Sequence, residues 1–110
     1  MRFSIVVPTL NRCDSLRTSV ASLLESKFPP SDYEILIVDN GSTDNTRQIA
    51  EKFIESNFGT PIRYFYEPIP GLLSARHMGA LESKGEILVY VDDDIEADQY
   101  WLNAISEAFE

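Results

Sequence analysis

Four short apolar runs, Phe3 to Pro8, Glu34 to Val38, Ile62 to Tyr66 and Ile87 to Val91, are separated by longer stretches whose apolar residues recur at helical spacing. Such alternation leaves few folds open. Strands that read as continuous apolar runs are buried on both faces, and joining them in parallel needs a crossover that is usually a helix. Repeated βα units therefore predict an α/β fold with a mostly parallel sheet covered on both sides.

The punctuation agrees with this reading. Asp14 is placed to cap a helix that carries Leu16, Val20, Leu23 and Leu24 and stops at Pro29 and Pro30. Asp39, Asn40, Gly41 and Ser42 form a turn, followed by a helix from Thr43 to Ser56 with Ile49, Phe53 and Ile54 facing inward. Leu72 to Ser83 predicts a third helix, closed by Gly85 as a left-handed cap. Asp98 caps a last helix whose buried face is Trp101, Leu102, Ile105, Ala108 and Phe109. Residues 1–110 read as one domain, with no linker, internal repeat or low-complexity tract.

Composition narrows the partners. Nine Lys plus Arg against eighteen Asp plus Glu give a net charge of −9, which repels nucleic acid and anionic membrane surfaces. The single cysteine, Cys13, excludes an internal disulfide framework and fits a reducing compartment. No apolar run reaches membrane-spanning length, and Met1 and Arg2 lead directly into a strand rather than a signal peptide, so the expected location is cytoplasmic.

Ligands of open parallel sheets bind outside the carboxyl ends of the strands, where loops converge with helix N-termini. The polar residues fall at those ends: Thr9, Asn11 and Arg12 after the first run, Asp39 and Asn40 after the second, and the triplet Asp92, Asp93 and Asp94 after the fourth. Arg12 and Arg76 are the nearby cations. Neither the dinucleotide glycine fingerprint nor the lysine-bearing phosphate loop is present, so a phosphate ligand would be bridged through a metal ion. Hard carboxylate oxygens suit Mg²⁺ or Mn²⁺, whereas Cys13 and His77 form no zinc-type cluster.

The segments FSIVVPTLNR, ILIVDNGSTDNT, PGLLSARHMGAL and VYVDDDI resemble, in that order and at similar spacing, the N-terminal half of family 2 glycosyltransferases. The resemblance runs from Phe3 to Trp101. It implies the three-layer α/β/α, Rossmann-like nucleotide-diphospho-sugar transferase (GT-A) fold, truncated to its donor-binding half. It also implies a nucleotide-sugar site: Pro8, Thr9, Asn11 and Arg12 beside the nucleotide, Asp39 on the base, Arg76 near the donor, Asp92 or Asp93 by the ribose, and Asp94 as the metal ligand of a D-x-D motif. A carboxylate at Asp39 could accept the imide N–H of uracil or thymine, which favours UDP- or TDP-sugars.

The implied activity is transfer of a hexosyl group to an acceptor hydroxyl with inversion. The general base of inverting members lies C-terminal of the D-x-D strand, hence beyond Glu110. His77 departs from the family, which usually has asparagine there. Loss of the outer neighbour of Ile87 to Val91 predicts self-association through that edge. Two other functions fit parts of the pattern: a non-catalytic nucleotide- or partner-binding module, and a haloacid-dehalogenase-like phosphatase, whose D-x-D normally follows the first strand.

Overall fold

A computed structural model describes residues 1–57 and 59–110. The elements run β1 (Phe3–Thr9), α1 (Cys13–Leu24), β2 (Tyr33–Asp39), α2 (Thr46–Ser56), β3 (Ile62–Tyr66), α3 (Leu72–Glu82), β4 (Ile87–Tyr90) and α4 (Trp101–Ala108), with a 3-10 turn at Pro30–Asp32 before β2. All strand pairs are parallel and the sheet order is β3-β2-β1-β4. The chain thus steps outward from β1 to β3 and then returns to place β4 on the other side of β1. That reversal between β1 and β4 is the switch point at which an open α/β sheet forms its ligand crevice.

Alternation along the strands builds two cores. Phe3, Ile5, Val7, Tyr33, Ile35 and Ile37 face Leu16, Val20 and Leu23 of α1, with Ala50 of α2 and Leu102 of α4 on the same side. Val6, Leu36 and Val38 face Ala75 and Met78 of α3. Three layers result, as the alternating pattern predicts, and β2 is buried at every position. Packing of α3 is close: a Cβ built on Gly79 would lie 2.3 Å from Val6 Cγ1, so only glycine lets the helix backbone sit this near β1.

Helix boundaries differ from expectation, and each difference has a tertiary cause. Asp14 lies inside α1, not at its cap; the Cys13 N–H is taken instead by Asp44, which also accepts from the Thr46 N–H (3.0 Å) at the start of α2. One carboxylate so serves two helix starts, and α2 begins at Thr46 rather than Thr43. The Thr46 hydroxyl is the main group holding the Asp44 carboxyl below its usual range. Asp98, three residues before α4 begins, accepts from the Tyr100 N–H at 3.0 Å, and Ala108 and Phe109 are exposed, so the buried face of α4 is shorter than its sequence suggests. Ile54 is likewise exposed.

Gly85 is not a left-handed cap, since the positive-φ glycines among the described residues are Gly41 and Gly71. It is needed for a close approach. A Cβ there would meet the Phe3 carbonyl carbon at 2.5 Å and the Ser4 nitrogen at 2.6 Å. Beside it, buried Glu34 gathers the Ser4 hydroxyl, the Lys84 N–H (2.7 Å) and the Arg63 guanidinium (2.8 Å), tying the end of α3 to β1, β2 and β3. Burial alone would raise the Glu34 pKa, but these donors outweigh it and hold the carboxyl below its ordinary value.

Candidate functional site at the switch point

The three loops named in the sequence meet where topology requires. A cavity of about 530 Å³ opens between the ends of β1 and β4, lined by Pro8, Thr9, Leu10 and Arg12 from the first loop, Asn40 from the second, Gly71, Leu72 and Ala75 from α3 and its approach, and Asp92, Asp93 and Asp94. A second groove, between α1 and α2, is larger at about 720 Å³, but no carboxylate lines it and it lies away from the strand ends. The acidic crevice is the site with convergent chemistry.

The triplet is not three equivalent carboxylates. Asp92 and Asp94 are exposed, while Asp93 between them is buried at 7% exposure. Asp93 accepts from the Thr9 hydroxyl at 2.9 Å, and Arg12 Nη1 lies 3.4 Å from it and 3.3 Å from Asp94. Further along, Ser19 of α1 donates to the Ile95 carbonyl at 2.6 Å, and the Ala97 N–H donates to Ser22 Oγ at 2.9 Å. The backbone is therefore held before the exposed carboxylates by the Val91 N–H on the Val6 carbonyl at 2.9 Å and after them by these two bonds.

Asn11, Asp39 and Arg76 do not line the cavity. Asn11, at φ 52°, accepts from the Thr43 N–H at 2.8 Å and donates its own N–H to Ser42 Oγ at 2.9 Å; it fastens the first loop to the second. Asp39 is 2% exposed, with one oxygen bonded to the Tyr64 hydroxyl (2.6 Å) and the other to the Ser42 N–H (2.8 Å). Burial first, then the bond and charge of Asp39, raise the Tyr64 pKa well above normal, so the phenol stays a donor. As these side chains stand, base recognition through Asp39 requires its carboxylate to turn out of this cage. Arg76 lies over the Tyr90 ring, 5.4 Å from its centroid, and its Nε is buried without a partner.

Of Asp39 and Asn40, the polar pair expected at the end of the second run, Asn40 contributes the second loop's side of the cavity. Its neighbour relation to Asp39 was the available signal: side chains at successive extended positions face opposite ways, so a buried Asp39 implies an outward Asn40. Desolvation and then the Asp44 hydrogen bond push the Cys13 thiol above the ordinary pKa.

Among the described residues, no group of three or more His, Cys, Asp or Glu side chains is arranged to enclose a metal ion. The fit is to a different kind of site. Two exposed carboxylates, Asp92 and Asp94, on the wall of one open cavity suit a hard divalent ion that takes its remaining oxygens from water and from a bound phosphate, as Mg²⁺ commonly does.

An open parallel α/β sheet with a crevice at its switch point places the chain in the doubly wound α/β class, and the comparisons make this specific. Residues 4–110 match Glycosyl transferase family 2, and the chain belongs to that family. Glycosyltransferase AglE of Haloferax volcanii is 33% identical over 99 residues, 90% of this chain and 32% of its own length. The crystal structure of S. aureus TarS 1–349 superposes with a TM-score of 0.88 at 28% identity, over 97% of this chain and 32% of that one. TarS has also been crystallised with UDP and with UDP-GlcNAc. Mannosyltransferase PcManGT from Pyrobaculum calidifontis, in complex with GDP-Man and Mn²⁺, superposes with a TM-score of 0.88 at 25% identity, over 94% of this chain and 31% of that one.

The fold is thus that of the GT-A transferases. The chain spans about a third of the length of AglE and of the TarS 1–349 chain. Family membership displaces the phosphatase alternative. No helix among the described residues is long and apolar enough to cross a membrane.

Proposed function

We propose that residues 1–110 form the donor-binding half of a glycosyltransferase that moves a hexosyl group from a UDP- or TDP-sugar to an acceptor hydroxyl, with inversion. The observation that carries this reading is the convergence of Thr9, Arg12 and the exposed Asp92 and Asp94 on one cavity at the β1/β4 switch point. UDP and UDP-GlcNAc in the related TarS crystals support a uridine nucleotide, and Mn²⁺ in PcManGT supports a divalent ion.

In this reading Asp94, with Asp92 beside it, holds Mg²⁺ or Mn²⁺, which when bound offsets the negative charge that gathers on the departing diphosphate. Pro8 and Thr9 wall the nucleotide, and Asp92 or Asp93 lies by the ribose. Arg12 already stands 3.3 Å from Asp94 and supplies a cation for the phosphate side of the cavity. Asp39 and Asn11 shape the loops that present these groups, and base contact by Asp39 follows an opening of its bond to Tyr64. The general base and the acceptor site belong to the part of the enzyme C-terminal to this half. A cytoplasmic location accompanies the reading.

Calorimetric titration with UDP, with and without Mn²⁺, tests the proposal. Metal-dependent binding that Asp94→Ala removes, with the fold intact by circular dichroism, is expected. Equal UDP affinity in the variant and the unmodified chain would overturn it.

A further inference from the structure

We infer that Asn40 is a positioning residue that holds the wall of the cavity opposite the carboxylates, and that this clasp sets nucleotide affinity. The inference rests on the donor-site reading above. Both amide hydrogens of Asn40 are spent on the protein: Nδ2 donates to the Glu67 carbonyl at 3.0 Å and to the Ile69 carbonyl at 2.7 Å. Its Oδ1 accepts from the Gly71 N–H at 2.9 Å. Its backbone N–H donates to the Thr9 carbonyl at 2.9 Å. A single half-buried residue therefore joins the end of β1, through its backbone, to the segment that carries the chain from β3 into α3, through its side chain.

Pro68 and Pro70 fix φ at two positions of that segment, and few hydrogen bonds set the rest of its path. Glu67 donates its N–H to the Asp39 carbonyl at 2.8 Å and receives the Ile69 N–H on its carboxylate at 2.9 Å. Ile69, Gly71 and Leu72 are exposed, and α3 has no side-chain cap at Gly71. Gly71 adopts φ +116° with open space where a Cβ would be, so no side-chain packing holds its backbone there. Asn40 bonds the Gly71 N–H, and Gly71 and Leu72 line the cavity. With its donors committed to carbonyls, the carboxamide acts on a nucleotide through this wall rather than by its own hydrogen bonds.

Replacing the amide tests this. Asn40→Asp keeps the shape but points a carboxylate oxygen at two carbonyl oxygens; Asn40→Ala removes the clasp. In nucleotide-free protein, amide exchange by NMR is expected to speed up at Gly71 in Asn40→Ala by about tenfold or more, with the sheet amides unchanged. UDP affinity in the presence of Mn²⁺ should weaken by about tenfold in both variants, while Mn²⁺ binding without nucleotide, measured by electron paramagnetic resonance, stays as in the unmodified chain.

Unchanged Gly71 exchange would overturn the clasp whatever nucleotide does. Weakened Mn²⁺ binding in the variants would reduce Asn40 to general structure and overturn its specific role. Failure of the unmodified chain to bind UDP while Gly71 exchange responds would instead overturn the donor-site reading.

Discussion

The Thr9 hydroxyl at the end of β1 donates to the carboxylate of Asp93, 84 residues later, at 2.9 Å, and both side chains are buried. This bond closes the switch point: it locks the middle carboxylate of the triplet against β1 and leaves its two neighbours facing the cavity. Thr9→Val keeps the volume and removes the donor, leaving Asp93 with Arg12 at 3.4 Å as its remaining partner. An unsatisfied buried acceptor costs about 1–3 kcal/mol. Thermal unfolding should show a midpoint lower by roughly 5–15 °C. Metal-dependent UDP affinity should fall as well, because Asp92 and Asp94 lose the anchor between them. A variant as stable as the unmodified chain would show that the bond contributes nothing net.

Acid should loosen the opposite end of the sheet first. The folded Glu34 carboxyl titrates below its unfolded value of about 4.5, so the stability it contributes is complete above that pH and is lost as the pH falls through the lower folded value. Urea unfolding between pH 6 and pH 3 is expected to show stability falling over the acid part of this range, and Glu34→Gln should flatten the profile there. Arg63→Met leaves Glu34, 1% exposed, with only neutral donors; breaking a buried pair costs about 3–5 kcal/mol, and the surviving Ser4 and Lys84 bonds place the expected loss at the low end. An Arg63→Met variant whose stability matches the unmodified chain at pH 7 would remove this account of the network.

The two glycines of close approach should respond differently to a methyl group. At Gly79 the obstruction is the Val6 side chain, and at Gly85 it is the backbone of Phe3 and Ser4. Overpacking costs about 1–3 kcal/mol where side chains can adjust. Gly79→Ala should therefore destabilise by that amount and be largely rescued by Val6→Ala, in a non-additive pair. Gly85→Ala should cost more, and truncating a side chain should not rescue it. Chemical denaturation of the four variants decides this, and additive effects at Gly79 and Val6 would contradict the packing described.

Strand positions were legible in the sequence to within a residue or two, because runs such as Ile35 to Val38 are apolar through and through, and only a doubly covered strand needs that. Helix starts were less so. Asp14 and Asp98 have the right chemistry for caps, but the donor at Cys13 is met by Asp44, a residue brought across from another loop by the parallel pairing of β1 and β2. Gly85 looked like a helix terminator, and its real constraint, the backbone of β1, is distant in sequence. The same limit applies to the site. Sequence order placed the polar residues at the carboxyl ends of the strands, but which of Asp39 and Asn40 would face the cavity depended on Tyr64 being there to bury the former.

Strand β4 should make the chain self-associate. It lies at the edge of the sheet, and because Leu88 pairs with Ser4 and Tyr90 with Val6, both side chains fall on the α3 face. That face is covered over β1 and β2 by α3, yet Leu88 and Tyr90 remain 36% and 42% exposed. An edge with unpaired backbone groups and apolar flanks is a template for another strand, and a second copy of β4 offers the same surface. Sedimentation equilibrium is expected to show concentration-dependent dimers despite the net charge of −9, which opposes association more strongly at low salt. Leu88→Lys places a charge on the edge without touching either buried core, so it should return the chain to monomer and leave its unfolding midpoint within a few degrees. A monomer at the highest concentrations in physiological salt, or a Leu88→Lys dimer as strong as the original, would show that β4 needs no partner.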